Sequence, residues 1–291
     1  MKRLVTRFVP STDGVEVAVH DSGGPGHPLV AVHGTGMVAR MWEPVLRALP
    51  ADALRVLYVD LRGHGASRTP AGVSFRDVCM VADLAAVVDA YALDGAWVAA
   101  HSMGAAAALL TSLERPGAFA KVFAFEPIIF RREPDFGGAL PDFVEGVRRR
   151  RAKFASRGEA IERYASRPPL DVLDPETLAA YVECGFVDDP SGGVRLACEP
   201  DVEARVFAEF LDRGFDRLGE LCVEVVVGAG SVGRPDRVGE PPWREIADRI
   251  PNARYHCFDG VDHFGPFAAG QLKSMAAFLR GFFEDGPRAI P

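Results

Sequence analysis

The sequence contains few cysteines, and no two of them are spaced as in a Cys-x-x-Cys motif. The five cysteines are odd in number and widely separated, which argues against both a zinc knuckle and a disulfide framework. They are Cys79, Cys184, Cys198, Cys222 and Cys257. We interpret them as small buried side chains in a reducing compartment. A dinucleotide-binding fingerprint is also missing, because residues 228–230 read GAG without the third glycine, and we predict no metal and no cofactor.

Long apolar runs and an excess of positive charge are missing as well. No stretch approaches the roughly 18 apolar residues of a membrane span. Arg7 and Pro10 interrupt the N-terminal segment in which a signal peptide would need about 7–15 apolar residues. The net charge of -7 argues against nucleic acid or anionic membrane as the main partner, because phosphates attract cationic surfaces. We expect a soluble, cytoplasmic protein that acts on a small molecule, with its oligomeric state open and a homodimer as one alternative.

Strand-like and helix-like segments alternate along the chain. Its 291 residues, 48% hydrophobic and 25% charged, are ordinary for a globular protein and long enough for two domains or one large domain with an insertion. The predicted strands cover residues 15–20, 28–32, 55–60, 96–100, 121–125, 222–228 and 254–258. The predicted helices between and after them cover residues 40–49, 75–91, 103–113, 243–250 and 271–283. This alternation predicts an α/β fold with a parallel sheet.

The alternation is interrupted once, between residues 127 and 218. This segment shows no convincing core strand, and its patterns predict helices at residues 142–155, 159–165, 176–184 and 202–213. It is rich in aromatic residues, which indicates a helical cap that encloses an apolar substrate, or alternatively rings that pack the insertion onto the core. The run Arg148–Arg151 is typical of a solvated helix face. We therefore predict a core domain of residues 1–126 and 219–291 and a cap domain of residues 127–218.

The strongest chemical signal is the pentapeptide at residues 100–104, which reads AHSMG. It follows a predicted strand and opens a predicted helix, which is the setting of a nucleophile elbow. Small residues two positions before and after the serine let the strand and the helix approach closely. Ala100 stands where the first glycine of such an elbow is usual, and Gly104 supplies the second. Ser102 is therefore the candidate nucleophile.

With this elbow and three further segments, the whole chain resembles the α/β-hydrolase family. Residues 33–36 read HGTG and follow a strand, where the family keeps its oxyanion loop. Residues 60–67 read DLRGHGAS, which is similar to the family's D-x-R-G-H-G-x-S segment. Residues 260–264 read GVDHF and follow the last strand, where the family's catalytic histidine lies. The resemblance implies a mostly parallel eight-stranded sheet flanked by helices, with residues 127–218 in the position of the variable cap.

The resemblance also assigns roles to individual residues. A serine hydroxyl is a weak nucleophile that needs a base, and His263 is the expected base for Ser102. The backbone N–H groups of Thr35 and Met103 are the expected donors to the oxyanion. The residues expected beside the substrate are Gly34, His101 and Phe264.

The acid of the triad is not where the family usually keeps it. The family places an Asp in a G-x-x-D segment after the seventh strand, and residues 228–231 read GAGS here, so that Ser231 occupies its position. A neutral hydroxyl cannot stabilise an imidazolium as a carboxylate does. Glu126 directly follows the predicted strand at residues 121–125 and lies at the same edge of the sheet as Ser102. Lactone hydrolases that resemble this chain around its Glu-Pro segment place their acid there, and we favour Glu126.

Two other carboxylates are alternatives to Glu126. Asp236 lies five residues beyond Ser231 and would require an excursion of the loop. Asp262 adjoins His263 in sequence, and its side chain is expected to point away from the ring nitrogen.

These residues predict a serine hydrolase that cleaves an ester or lactone through an acyl-enzyme, with a bulky apolar substrate such as a macrolactone. Carbon–carbon hydrolase, thioesterase and cofactor-free haloperoxidase activities remain open on the same triad. The alternatives from other classes are a ligand-binding protein and a non-hydrolytic biosynthetic enzyme on the same scaffold.

Overall fold

The computed structural model describes residues 4–50, 52–130, 139–209, 214–232 and 243–284. The strands within these ranges are β1 Val5–Pro10, β2 Glu16–Asp21, β3 His27–Val32, β4 Leu54–Asp60, β5 Ala96–His101, β6 Phe119–Phe125, β7 Lys153–Phe154, β8 Phe186–Asp188, β9 Val194–Leu196, β10 Glu224–Gly230 and β11 Ala253–Phe258. The α-helices are α1 Glu43–Leu46, α2 Asp77–Ala90, α3 Met103–Glu114, α4 Ala139–Arg148, α5 Arg157–Ala165, α6 Pro175–Gly185, α7 Pro200–Glu209, α8 Trp243–Arg249 and α9 Leu272–Glu284. None of the helices in these ranges is long and apolar enough to cross a membrane.

Eight strands form one large sheet in the order β1-β2-β4-β3-β5-β6-β10-β11. The pairs β1/β2 and β2/β4 are antiparallel, and the remaining neighbours are parallel. The predicted fold class, a mostly parallel eight-stranded α/β sheet, is confirmed. Strand β1 was not among the predicted strands, because it is an edge strand whose residues Val5 to Arg7 are exposed and show no apolar alternation.

Hydrophobic side chains cover both faces of the sheet. Leu84 of α2, Leu109 of α3 and Ile246 of α8 are fully buried in the core cluster on one face. Val45 of α1 and Leu279 of α9 are fully buried in the cluster on the other face. The central strands are buried on both sides, which is why they read as continuous apolar runs in the sequence. The carboxyl ends of the parallel strands meet at one edge of this sheet.

Residues 127–218, which we call the insertion, contain α4 to α7 and a separate three-stranded antiparallel sheet in the order β7-β9-β8. The insertion thus contains the expected helices together with a small sheet that was not predicted, because strands of two or three residues are too short to show a period. The helix predicted at residues 142–155 ends at Arg148, and β7 follows it. The helix predicted at residues 40–49 is a 3-10 turn, Ala39–Trp42, followed by the four-residue α1.

Candidate active site

Ser102 lies on the sharp turn between β5 and α3. Its backbone has φ 55° and ψ -119°, a conformation that L-residues rarely adopt and that is typical of strained functional turns. The elbow's glycine is required, since a Cβ at Gly104 would lie 2.4 Å from the carbonyl oxygen of His33. Ala100 is fully buried, so its methyl group is accommodated where the elbow usually has a glycine. The Ser102 side chain itself is only 4% exposed.

The structure brings the predicted base within hydrogen-bond distance of Ser102. The Nε2 atom of His263 lies 3.1 Å from the Ser102 Oγ. The Nδ1 atom of His263 lies 2.5 Å from the Oε2 of Glu126. An imidazole that donates its Nδ1 proton to a carboxylate presents an unprotonated Nε2, which can accept the serine proton. Serine, histidine and carboxylate thus form one continuous chain of hydrogen bonds.

Glu126 reaches His263 from the end of β6. Its backbone leaves the strand with φ 47°, and its side chain is 3% exposed. The second carboxylate oxygen, Oε1, accepts a hydrogen bond from the N–H of Gly230 at 3.0 Å. Glu126 therefore bridges the ends of β6 and β10, and both of its oxygens are held in fixed positions. A carboxylate held on both oxygens can fix the orientation of the histidine ring.

Ser231, at the position of the usual family acid, has a different environment. It is exposed, and its hydroxyl donates to Asp259 at 3.1 Å and accepts from the N–H of Gly260 at 2.8 Å. These bonds stabilise the turn after β11. Asp236 lies outside the described residues. The Oδ1 of Asp262 accepts from the N–H of Phe264 at 2.8 Å.

The oxyanion loop, residues 33–37, lies directly against the nucleophile. A Cβ at Gly34 would be 2.6 Å from Nδ1 of His101 and 3.1 Å from Cβ of Ser102, so a side chain is excluded there. The carbonyl of Gly34 accepts from His33 Nδ1 at 2.8 Å and from the Met37 N–H at 3.2 Å. The N–H of Thr35 belongs to the same trans peptide and points in the opposite direction.

The second predicted oxyanion donor is at the start of a helix. Met103 is the first residue of α3, so its N–H has no acceptor within the helix. The positive end of the helix dipole reinforces this N–H as a donor to a developing negative charge. Met103 directly follows Ser102, and Thr35 follows Gly34, which packs against Ser102.

Two buried histidines, His33 within the oxyanion loop and His64 after β4, hydrogen-bond to this loop. The Nε2 of His64 accepts from the N–H of Gly36 at 3.0 Å, and its Nδ1 donates to the carbonyl of Arg62 at 2.9 Å. Burial lowers the pKa of His64 to about 3. Burial likewise lowers the pKa of His33. The hydrogen bond from the Gly36 N–H requires a neutral His64 ring, because an imidazolium has no acceptor nitrogen.

The three residues expected beside the substrate are all buried. His101 has no exposed surface, and its Nε2 donates to the carbonyl of His263 at 2.8 Å, with the two rings 4.5 Å apart. His101 thus holds the His263 backbone by a hydrogen bond and packs against the His263 ring. Phe264 is 7% exposed and packs edge-on against the His263 ring at 5.6 Å. Gly34 packs against Ser102, as described above.

Sequence reasoning missed a polar cluster that the insertion places on the oxyanion loop. Arg150 donates to Glu203 at 2.8 Å, to Tyr181 at 2.7 Å and to Tyr164 at 3.2 Å. The Tyr181 hydroxyl donates to the carbonyl of Gly36 at 3.2 Å. Arg150 therefore differs from its arginine neighbours, whose run predicted only a solvated helix face. The residues of this cluster are far apart in sequence, and no local pattern signals their meeting.

Potential metal ligands do not cluster in the part of the chain that the structure describes. No group of three or more His, Cys, Asp or Glu side chains there could hold a metal ion.

Comparison with known proteins gives three results. The model of the alpha/beta hydrolase family matches residues 29–272. A Mycobacterium tuberculosis protein with the provisional name non-heme bromoperoxidase BpoC is 27% identical over 264 residues, 88% of this chain and 94% of that protein. The 2-hydroxy-6-oxo-2,4-heptadienoate hydrolase of Pseudomonas putida is 32% identical over 105 residues, 35% of this chain and 38% of that protein.

Solved structures of the same architecture cover nearly the whole chain. The structure of E-2-(acetamidomethylene)succinate hydrolase has a TM-score of 0.79 and 18% identity, covering 97% of this chain and 99% of that one. At this identity the likeness concerns the fold alone.

Proposed function

The chain belongs to the α/β-hydrolase family, and on that premise we propose that it is a serine hydrolase that cleaves a carboxylic ester or lactone. The observation that carries this proposal is the hydrogen-bonded chain from Ser102 through His263 to Glu126, with distances of 3.1 and 2.5 Å. Nucleophile, base and orienting acid in this order are the requirement for acyl transfer by serine.

In the first half of the proposed reaction, the Ser102 Oγ attacks the substrate carbonyl while the His263 Nε2 accepts the hydroxyl proton. The N–H groups of Thr35 and Met103 bind the oxygen that becomes negatively charged. Removing one such donor typically costs about 3–4 kcal/mol of transition-state stabilisation. The carbon–oxygen bond of the ester then breaks, and the imidazolium of His263 gives its proton to the leaving alkoxide.

In the second half, a water molecule replaces the alcohol. His263 takes a proton from this water, whose oxygen attacks the acyl-enzyme carbonyl. The tetrahedral intermediate collapses, the carboxylic acid leaves, and the proton returns from His263 to Ser102. Glu126 stabilises the imidazolium in both halves without becoming protonated. For a lactone, the alcohol and the acid are two ends of one ring-opened product.

Four aromatic residues of the insertion give no indication of the size of the substrate. Phe154, Tyr164, Tyr181 and Phe186 are 2–8% exposed and pack against one another with ring centroids 5.7–6.2 Å apart. These four rings form the core of the insertion, as the packing alternative predicted. A bulky or macrocyclic substrate is therefore a proposal that measured turnover has to test.

The test is product formation on a panel of esters and lactones, followed by mass spectrometry. The panel runs from short acyl esters to macrolactones, with Ser102→Ala as the matched control. The proposal expects at least one product that has gained a water molecule and that is absent with Ser102→Ala. If no member of the panel gives a product that depends on Ser102, the ester hydrolase proposal is wrong.

A carbon–carbon hydrolase is the second candidate on the same residues. It is favoured by the Pseudomonas putida relative, whose name gives a keto-acid substrate that contains no ester. The panel therefore includes a dienoic keto acid. Ser102-dependent cleavage of that compound, with no turnover of esters, would select this second candidate.

A further inference from the structure

We propose that Tyr181, on helix α6 of the insertion, is a positioning residue for the oxyanion loop, so that the insertion sets the geometry of the oxyanion hole. This inference depends on the proposed function, because it concerns the same reaction. Its central observation is the buried hydrogen bond of 3.2 Å from the Tyr181 hydroxyl to the carbonyl of Gly36.

Gly36 is held from two opposite sides. On the core side its N–H donates to the Nε2 of His64 at 3.0 Å. On the side of the insertion its carbonyl accepts the Tyr181 hydroxyl. Gly36 has φ 74°, a conformation that costs glycine little and other residues much. The bonds to His64 and Tyr181 fix the two peptide planes on either side of Gly36 in this conformation.

Arg150 sets the direction of the Tyr181 hydroxyl. Its guanidinium donates to the Tyr181 oxygen at 2.7 Å, and a guanidinium has no acceptor. Tyr181 must therefore use its own proton for the Gly36 carbonyl. Glu203 balances the charge of Arg150 at 2.8 Å. A Cβ at Gly36 would lie 2.4 Å from the Glu203 Oε1, so the insertion packs directly on the glycine.

This arrangement matters for catalysis because Gly36 directly follows the donor residue. The N–H of Thr35 lies in the peptide between Gly34 and Thr35, and the next two peptides are those that His64 and Tyr181 fix. Without the Tyr181 bond the loop can rotate its Thr35 N–H away from the oxyanion. Preorganised donors act mainly on the transition state, so the loss should appear in kcat and leave KM largely unchanged.

Tyr164 is a matched control for Tyr181. Its hydroxyl also accepts from Arg150, at 3.2 Å, and its ring packs 5.9 Å from the ring of Tyr181. Both tyrosines are buried in the insertion, at 8% and 2% exposure. Only Tyr181, however, bonds to the oxyanion loop. Tyr164→Phe and Tyr181→Phe therefore each remove a hydroxyl group that accepts from Arg150. Tyr164→Phe leaves the hydrogen bond to the oxyanion loop in place, and Tyr181→Phe removes it.

The experiment measures the rate at which a fluorophosphonate probe labels Ser102 in the wild type and in both variants. This reaction needs the activated serine and the oxyanion donors but does not require the natural substrate to be known. We expect Tyr181→Phe to slow labelling about fivefold to tenfold, the effect of one net hydrogen bond. We expect Tyr164→Phe to react at the wild-type rate. The affinity for a trifluoromethyl ketone, whose adduct carries an oxyanion, should fall by the same factor in Tyr181→Phe.

The possible outcomes separate this inference from the proposed function. Equal labelling rates in wild type and Tyr181→Phe would overturn the inference and leave the serine hydrolase intact. Equal slowing in both variants would also overturn it, because the effect would then belong to the packing of the cluster. A wild type that the probe does not label would contradict the proposed function itself. Urea unfolding reports whether each variant is folded.

Discussion

At the scale of single residues, the unusual feature is a carboxylate on β6 where the family usually has one after β10. Glu126 has both oxygens occupied, at 2.5 Å from His263 and 3.0 Å from the Gly230 N–H. Ser231 is turned toward Asp259 and Gly260. In the proposed triad the acid thus lies one strand away from its usual place, while Ser102 and His263 lie where the family motifs predict.

Replacing Glu126 with glutamine tests this role. Glu126→Gln keeps the size and removes the charge, so it no longer stabilises the imidazolium or selects the Nδ1-protonated ring. We expect kcat/KM to fall by about a thousandfold or more, in line with the loss of a triad acid elsewhere. Asp236→Asn is the control, with activity near that of the wild type. Retained turnover in Glu126→Gln, together with lost turnover in Asp236→Asn, would show that the assignment is wrong.

The buried histidines make stability depend on pH. The folded state holds His64 neutral with a pKa of about 3, whereas an unfolded histidine titrates near 6.5. The unfolded chain therefore binds more protons between these values, and the free energy of unfolding falls as the pH falls below about 6.5. For His64 alone the loss between pH 7 and pH 5 is about 2 kcal/mol. Burial lowers the pKa of further histidines and adds to this slope; they are His27, His33 and His256.

Urea unfolding of His64→Gln isolates the contribution of His64. Glutamine keeps an acceptor for the Gly36 N–H but does not titrate. The variant is expected to be less stable than the wild type at pH 7, and the difference should narrow by about 2 kcal/mol at pH 5. A difference that stays constant across this range would contradict the assignment of a neutral buried His64.

The sequence could predict those residues that lie in a short motif, and it could not predict those that meet only in the folded chain. Ser102 lies in a pentapeptide that carries its own strand-to-helix context, and His263 follows the last strand in a short motif. Glu126 was favoured because it ends a strand at the edge where Ser102 lies and because lactone hydrolases that resemble this chain place their acid there. Arg150 and Tyr181 meet only in three dimensions. Their position in a run of arginines and on an ordinary amphipathic helix gives no sign of this contact.

At the scale of elements, strand β10 ends on a glycine that packs against the segment carrying His263. A Cβ at Gly230 would lie 2.3 Å from the carbonyl oxygen of Val261, which belongs to the backbone and cannot move aside easily. The same glycine donates to Glu126. Close packing of β10 against the segment that carries His263 therefore places the acid and the base together.

Gly230→Ala should damage both the fold and the site. We expect it to reduce the free energy of unfolding by about 1–3 kcal/mol, because the backbone of Val261 must shift. It should also reduce kcat, because the shift displaces the Gly230 N–H from Glu126. Gly281→Ala in α9 is the control, since a Cβ there meets nothing within 4 Å and alanine favours the helix by about 0.5–1 kcal/mol. A Gly230→Ala protein with wild-type stability and turnover would argue against this packing role.

Elements that are long and apolar were predicted within a few residues, and short ones were missed. Strands β3 to β6 pack helices on both faces, so their sequences are continuously apolar and easily recognised. Strands β7, β8 and β9 have two or three residues each, and their pairing is decided by contacts within the insertion. Helix α1 is four residues long because a 3-10 turn precedes it.

At the scale of the whole molecule, the site gathers residues from four loops of the sheet's carboxyl edge and from the insertion above it. The loops after β3, β5, β6 and β11 supply Thr35, Ser102, Glu126 and His263. The α/β topology brings these loops together at this edge whatever the substrate. The identity of the substrate does not follow from this topology.

The central claim is that hydrolysis passes through an acyl-enzyme on Ser102. The most direct measurement is the intact mass of the enzyme when turnover of an activated p-nitrophenyl ester is quenched with acid, followed by peptide mapping. We predict a mass increase of one acyl group, located on the peptide that contains Ser102 and absent in Ser102→Ala. Turnover that persists in Ser102→Ala, or an acyl group on another residue, would contradict the account.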